Sequence, residues 1–121
     1  MPAQIKSPEE LLPLTPAVFH ILLALAGEER HGYFIMRHVA ETTDGRVKMG
    51  PGTLYGTIKR LLAAKLIEES DERPDPELDD ERRRYYRLTP FGRRVLGAEV
   101  ARYSSAVKIA HGFGIASAKT A

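Results

Sequence analysis

The chain has 121 residues, of which 43% are hydrophobic and 28% are charged. This composition is typical of one modest globular domain and too apolar for a disordered chain. The chain contains no cysteine, which excludes disulfides and thiolate metal sites and favours a reducing, cytoplasmic location. No apolar run approaches the roughly 20 residues that span a bilayer, and the N-terminus lacks a signal-peptide core, so no membrane partner is expected.

The net charge of +2 is unevenly distributed. Residues 71–81 contain seven acids against the single base Arg73, so this segment carries −6 and the remaining residues carry +8. A basic body with one acidic projection is compatible with a polyanionic partner.

Helices are predicted from capping residues and from the spacing of apolar residues. Residues 7–10 read SPEE and start a short helix that Pro13 ends. Thr15-Pro16 repeats the start signal, and apolar residues at i, i+3, i+4 and i+7 indicate a core-facing helix that Gly27 ends. Further helices are predicted over Gly32–Thr42, Gly50–Ala64 and from Thr89-Pro90 to Gly112.

Short strands are predicted between these helices. Arg46–Met49 follows a turn and is too short for a helix, so it is interpreted as a brief strand. Ile67–Glu69 and Arg84–Leu88 form the arms of a hairpin with a long acidic tip, and Tyr85 and Tyr86 point to opposite faces of their strand.

This element order predicts a mainly α fold with a small β wing, a winged helix-turn-helix with a long C-terminal dimerisation helix. We expect a DNA-binding domain over residues 1–88 and a dimerisation helix with its tail over residues 89–121.

The stretch GPGTLYGTIKRLL, residues 50–62, suggests either a phosphate-binding loop or an exposed helix. The dinucleotide fingerprint fails because the third glycine, Gly56, comes one place late, and no Gly-Lys-Ser/Thr of a P-loop follows. On a helical wheel the apolar residues share one face, and the face opposite carries small or hydroxyl residues followed by two cations. A helix that enters a groove explains this pattern, and an ordinary amphipathic helix with a solvated face remains the plainer alternative.

Five segments together resemble the PadR family of bacterial transcriptional regulators. They are His31–Met36, Pro51–Tyr55, Lys59–Leu61, Leu66–Glu68 and Arg84–Thr89. The resemblance covers about Leu14 to Leu96, and the single C-terminal helix is similar to that of the small-sized branch of the family. It implies a winged-helix dimer that binds operator DNA, usually as a repressor, with Gly50–Ala64 as the recognition helix.

The chain departs from the family pattern at three points. Phe34 stands where an acid is common, Gly56 stands where proline is common, and the wing is acidic where relatives often have a basic tip. The positive charge with which the wing contacts DNA is therefore expected at the base of its second arm, the wing root, where Arg82, Arg83 and Arg84 lie. The candidate DNA-binding residues are Tyr33, Gly52, Thr53, Tyr55, Thr57, Lys59, Arg60, Arg82, Arg83 and Arg84.

The last helix carries an apolar stripe with alternating spacings of four and three residues, as in a heptad seam. Its members are Leu96, Val100, Tyr103, Val107 and Ala110. We expect this stripe to pair with a second copy, although packing on its own domain is the alternative. The resemblance implies that a small aromatic or lipophilic effector enters between these helices, with Phe19, Val100 and Tyr103 as candidate lining residues.

Enzymatic and metal sites have no candidate residues. No Ser-His-Asp order or carboxylate pair stands out, and no acid or cysteine completes a ligand set with His31 and His38. We therefore expect no enzyme activity, metal or cofactor. The rival to a DNA-binding regulator is a winged-helix protein-interaction module whose acidic wing contacts a basic partner.

Overall fold

A computed structural model describes residues 7–70 and 84–115, and its elements confirm the predicted fold class. In chain order they are a 3-10 helix (Pro8–Leu11), α1 (Pro16–Ala24), β1 (Arg30–His31), α2 (Gly32–Thr42), α3 (Pro51–Ala63), β2 (Ile67–Glu69), β3 (Tyr85–Leu88) and α4 (Pro90–Gly112). The acidic residues of the wing tip, Arg82, Arg83 and the C-terminal tail lie outside the described residues.

Three helices begin where a side chain accepts a hydrogen bond from a backbone N–H that the helix itself leaves unpaired. Thr15 Oγ1 accepts from Val18 N–H in α1, at 3.2 Å. His31 Nδ1 caps α2 in the same way at 3.0 Å, and Thr89 Oγ1 caps α4 at 2.8 Å. The helix starts predicted at Thr15-Pro16, Gly32 and Thr89-Pro90 are therefore confirmed.

One apolar core joins the helices and the sheet. Its fully buried members include Ile21 and Leu22 of α1, Ile35 of α2, Leu54 of α3 and Val95 of α4. Burying such side chains stabilises the fold by about 1.5–3 kcal/mol each. The core thereby fixes α2 and α3 against each other and leaves one long face of α3 outside.

Two glycines permit close packing of these elements. A Cβ on Gly32 would lie 2.6 Å from the Tyr55 hydroxyl oxygen, and a Cβ on Gly92 would lie 1.9 Å from the Leu66 carbonyl oxygen. The Leu66 carbonyl is backbone and cannot move aside, so α4 packs this closely against the residue before β2 only with glycine at position 92. A side chain at position 32 would require the Tyr55 ring to shift.

The sheet has three antiparallel strands in the order β1-β3-β2. The predicted arms Ile67–Glu69 and Arg84–Leu88 pair in it, and Tyr86 is buried while Tyr85 is half-buried, as expected. The strand predicted at Arg46–Met49 is wrong, because this segment forms a turn and a loop in which Val47 N–H donates to Thr43 Oγ1. The third strand is instead the two-residue β1, paired with β3.

The first half of α4 shares the core, while its second half extends away from it. Val95 and Leu96 are buried, whereas the residues from Val100 onward are exposed along most of the helix. Among the described residues, no helix has both the length and the apolar character that spanning a membrane requires.

Candidate nucleic-acid interface

Helices α2 and α3 form a helix-turn-helix whose turn is held by local hydrogen bonds. Thr43 Oγ1 donates to the Val39 carbonyl at 2.8 Å, and Asp44 and Gly45 take left-handed backbone conformations. Asparagine, aspartate and glycine adopt that conformation at the least cost. The turn directs α3 outward with Leu54, Ile58 and Leu61 in the core.

The outer face of α3 lacks bulk in its N-terminal half and is cationic in its C-terminal half. Gly52, Thr53, Lys59 and Arg60 are exposed. A Cβ on Gly52 or Gly56 would meet no atom within 4 Å. Unlike Gly32 and Gly92, these glycines meet no neighbouring atom among the described residues. Gly56, in the interior of the helix, nevertheless costs about 0.8–1.0 kcal/mol relative to alanine.

The start of α3 differs from the starts of the other α-helices described. Its N-cap residue is Gly50, which makes no side-chain capping hydrogen bond, whereas Thr15, His31 and Thr89 cap the others. Like the other α-helices described, α3 has no acidic residue in its first turn. Pro51 has no N–H and the Leu54 N–H donates to the Gly50 carbonyl, so the N–H groups of Gly52 and Thr53 are left without a side-chain acceptor among the described residues. A helix start of this kind attracts anions such as phosphate.

Lys59 and Arg60 make no ion pair with any residue that the structure describes. Many other arginines of the described chain are paired, as Arg30 is with Glu28 at 2.9 Å. The two cations of α3 are therefore open to an anionic partner.

The prediction that Thr57 lies on the outer face of α3 is wrong, because only 3% of this residue is exposed. At about 100° per residue Thr57 lies about 60° from Leu54, well inside the buried face. Its polarity suggested exposure, but its angle on the helix places it in the core. Thr57 Oγ1 donates to the Thr53 carbonyl at 2.8 Å and accepts from Arg60 Nη2 at 3.2 Å.

Tyr55 and Tyr33 both lie near the contact between α3 and α2. Tyr55 is half-buried with its ring against Gly32, so it supports the helix pair more than it extends outward. Tyr33 is exposed in the first turn of α2, with the Arg37 guanidinium 5.9 Å from its ring centroid. Tyr33 is thus placed beside the start of the helix pair, where a phosphate contact is expected.

The wing root carries paired rather than isolated charges. Arg84 Nη1 lies 3.5 Å from Glu69 Oε2, and Arg87 Nε lies 2.9 Å from Glu68 Oε2 across the β2–β3 ladder. Exposed pairs of this kind contribute about 0–1 kcal/mol, so Arg84 can exchange its carboxylate for a phosphate at little cost. A DNA contact by Arg84 stays a prediction.

The predicted seam of α4 is corrected at its first member. Leu96 is 6% exposed and packs in the core of its own chain. Val100, Tyr103 and Val107 are 44%, 39% and 53% exposed and continue the stripe beyond the core. Ala110 is half-buried near the end of the helix. The surface seam is therefore Val100, Tyr103, Val107 and Ala110.

The candidate effector residues divide in a similar way. Phe19 is buried, and its ring lies edge-to-face against Tyr103 with 4.9 Å between the ring centroids. Phe19 is thus covered by Tyr103 and does not form an open lining. Val100 and Tyr103 remain exposed at the position where an effector was predicted.

Sequence reasoning missed Glu99, which is fully buried on α4. Its carboxylate accepts from Leu14 N–H at 2.8 Å and from Arg102 Nε at 2.6 Å. The Arg102 hydrogen bond holds the pKa of the Glu99 carboxyl below the usual range of glutamate, against the opposing effect of burial. A glutamate and an arginine three residues apart are common on exposed helices, so only the fold shows that this pair anchors the N-terminal segment.

Among the described residues, no group of three or more His, Cys, Asp or Glu side chains is arranged to hold a metal ion. His31 caps α2, and His38 stacks on Phe34 with 5.3 Å between the ring centroids. Both histidines therefore have local structural contacts.

Comparison with known proteins agrees with this architecture. The model of the transcriptional regulator PadR-like family matches residues 21–98. A transcriptional regulator of Mycobacterium tuberculosis is 39% identical over 77 residues, which cover 64% of this chain and 65% of that protein. An uncharacterized transposon protein of Streptomyces fradiae is 37% identical over 79 residues, 65% of this chain and 20% of the relative. This chain thus spans less than two thirds of either relative.

Two solved structures illustrate the similarity in fold. RosR of H. salinarum has a TM-score of 0.65 and 28% identity, with 80% of each chain covered. PadR of Bacillus subtilis, solved in complex with operator DNA, has a TM-score of 0.62 and 20% identity over 73% of this chain and 47% of that one. With the family model matching more than half of the residues, the chain belongs to the PadR-like family of transcriptional regulators.

Proposed function

We propose that this regulator is a cytoplasmic repressor that binds a near-palindromic operator as a homodimer and responds to a small aromatic or lipophilic effector. Its family consists of transcriptional regulators, so the chain is a regulator and not an enzyme. The recognition element of the proposal is α3, with Tyr33 and the arginines at the wing root on the DNA backbone.

The open face of α3 is the single observation that carries DNA binding. Its first turns have no bulk, no acid and no capping side chain, and its later turns carry Lys59 and Arg60 without an acidic partner among the described residues. The major groove admits one α-helix. Small residues at the leading end allow close approach, and two cations behind them can contact phosphate or a guanine edge.

The exposed part of α4 supports the homodimer. Val100, Tyr103 and Val107 form an apolar stripe in water in the isolated chain, and Ile109 and Phe113 add further exposed apolar surface. Pairing with the same helix of a second copy would bury this surface. A two-fold dimer would place its two recognition helices in half-sites about 34–36 Å apart, and so it requires a near-palindromic operator.

The effector part of the proposal rests on the aromatic surface at the base of the same seam. Tyr103 covers Phe19, and Val100 lies one turn before Tyr103 on α4. A planar apolar ligand that displaced Tyr103 would contact both aromatic rings and would change the packing of the two α4 helices. Because the packing of the two α4 helices sets the distance between the two recognition helices in the proposed dimer, effector binding would change that distance.

Charge removal on α3 tests DNA binding directly. We expect Lys59→Ala and Arg60→Ala each to weaken binding to a duplex from the promoter beside its own gene, because each loses a phosphate or base contact. For a phosphate contact the slope of log affinity against log salt should fall by about 1. Binding is measured by fluorescence anisotropy at two salt concentrations, with a random duplex of equal length as reference.

Lys108→Ala is the charge-matched control, since it removes one cation from the exposed end of α4. It should leave both affinity and salt slope unchanged. Wild-type affinity after both α3 cations are removed, or no preference over random DNA in the wild type, would contradict the proposal and favour a protein-interaction module.

A further inference from the structure

The buried hydroxyl of Thr57 stands between the core and the proposed recognition surface. Thr57 is buried to the same degree as its apolar neighbours Leu54 and Ile58, so its side chain cannot reach a ligand. A polar group at such a position needs hydrogen-bond partners to offset its burial. The hydrogen-bond partners of the Thr57 hydroxyl therefore indicate its role.

The Thr57 hydroxyl makes two hydrogen bonds within α3, one as donor and one as acceptor. Oγ1 donates to the Thr53 carbonyl, one turn earlier, at 2.8 Å. Since a hydroxyl has one proton, this bond fixes the direction of its lone pairs. One lone pair accepts from Arg60 Nη2 at 3.2 Å.

Arg60 has no other fixed partner among the described residues. It forms no ion pair there, unlike Arg84 and Arg87 at the wing. The Thr57 hydroxyl lies one turn N-terminal to Arg60, so the hydrogen bond draws the guanidinium toward the half of α3 that carries Gly56 and Thr53. Arg60 is exposed, so the remaining N–H groups of its guanidinium are accessible to a partner outside the chain.

We propose that Thr57 is a positioning residue that orders Arg60 for DNA contact before the DNA arrives. The inference rests on the proposed function, since it assigns a role within the α3 surface. Ordering one long side chain on binding costs about 0.5–1.5 kcal/mol, equivalent to about 2- to 12-fold in affinity. Thr57 reduces this cost because Arg60 is already held in the free protein.

Valine at position 57 separates the hydroxyl from the packing, because it has nearly the shape of threonine without the polar atom. The Thr53 carbonyl keeps its helical partner, the N–H of residue 57, so Thr57→Val leaves no buried acceptor unpaired. Thr57→Ser is the matched control, since it keeps the hydroxyl and loses the methyl group. Both variants are compared with wild type, Arg60→Ala and the double variant Thr57→Val/Arg60→Ala.

The probe is a duplex that the wild-type protein selects from random DNA, and the readout is the dissociation constant of each full-length variant. Thr57→Val should weaken binding by about 2- to 12-fold, and Thr57→Ser should bind like wild type. In the Arg60→Ala background, Thr57→Val should have no further effect. This dependence on Arg60 distinguishes positioning from a general structural role.

Two results would overturn the proposal while leaving the proposed function intact. One is wild-type affinity for Thr57→Val while Arg60→Ala binds weakly. The other is an equal loss from Thr57→Val with and without Arg60, which would mean that the hydroxyl only stabilises α3. If wild type selects no DNA sequence at all, the proposed function fails and this inference fails with it.

A measurement on the wild type alone covers the case in which Thr57→Val does not fold. The NMR order parameter of the Arg60 Nε–H bond should exceed that of Arg94, an exposed arginine of α4 whose guanidinium lies 5.7 Å from the Phe91 ring centroid. Equal order at the two sites would contradict pre-ordering of Arg60.

Discussion

At the scale of single residues, Glu99 shows how a buried charge connects two parts of this molecule. It joins the segment before α1 to α4 through Leu14 N–H and holds Arg102 beside the exposed seam. A buried carboxylate is tolerated only where hydrogen bonds and an opposite charge satisfy it. Glu99 therefore fixes the base of the proposed dimer helix against its own domain.

We expect Glu99→Gln to lower the free energy of unfolding by about 1–3 kcal/mol at neutral pH, because a charged acceptor is replaced by a neutral one. The pKa of Glu99 is lowered in the folded state. The ionised Glu99 therefore contributes its full stabilisation when the pH is above the pKa that this carboxyl has in the unfolded chain. The stabilisation is lost as the pH falls through the pKa of Glu99 in the folded state. Urea unfolding at neutral and acid pH should show the wild type and variant converging in acid. A difference independent of pH would contradict this account.

Substitution by alanine should change the free energy of unfolding in opposite directions at Gly56 of α3 and Gly92 of α4. Gly56→Ala should raise the free energy of unfolding by about 0.5–1 kcal/mol, since its Cβ meets open space and helix propensity improves. The same change should weaken operator binding by adding bulk to the face that approaches DNA. Thermal unfolding and anisotropy check the two effects.

Gly92→Ala is the matched control, because its Cβ would overlap the Leu66 carbonyl. It should lower stability by about 1–3 kcal/mol. If Gly56→Ala were destabilising, or left operator affinity unchanged, the reason given for this glycine would be wrong.

At the scale of elements, local signals predicted most helices because capping and apolar spacing are encoded over a few residues. Thr15-Pro16 and Thr89-Pro90 start helices as expected, and the predicted bounds Gly32–Thr42 of α2 are those observed. Strand β1, with two residues, was missed because its pairing depends on β3, more than fifty positions later in the sequence. Arg46–Met49 showed the opposite error, since none of the strands in residues 7–70 and 84–115 pairs with it.

The N-cap of α2 is an element-scale device that can be tested directly. We expect His31→Ala to lower the free energy of unfolding by about 1 kcal/mol, because the Phe34 N–H loses its acceptor. His31→Asn should restore most of this loss, since asparagine is a good capping residue. Equal stability of all three proteins in urea would show that the cap contributes nothing.

At the scale of the whole molecule, the candidate site could be predicted only in part. Lys59, Arg60 and Gly52 lie on the exposed face of α3 as expected. The burial of Thr57 and Leu96 was not predicted. Thr57 was assigned to the outer face of α3 because it is polar, and Leu96 was assigned to the dimer seam because it fits the heptad spacing. Where α4 leaves the core depends on its packing against the 3-10 helix and α1, which no local pattern in α4 contains.

The homodimer predicts a specific effect of charge on the exposed seam. Val100→Asp together with Val107→Asp should give a monomer that no longer binds the operator tightly, because two carboxylates per copy would be buried at the interface. Analytical ultracentrifugation and anisotropy provide the readouts. Ala101→Asp with Ser105→Asp places the same charge on another side of α4 and should remain dimeric and bind DNA. A wild-type monomer at micromolar concentration, or a seam variant that still dimerises, would contradict the dimer.

Selection of bound duplexes from a pool of random DNA, followed by sequencing, tests whether the exposed face of α3 reads DNA sequence. We expect the wild type to enrich a near-palindromic site with half-sites about one helical turn apart. We expect the Lys59→Ala/Arg60→Ala protein to lose this enrichment while keeping its fold by circular dichroism. A wild-type protein that enriches no sequence, or an α3 variant that enriches the same site equally well, would show that this face of α3 is not a DNA-reading surface.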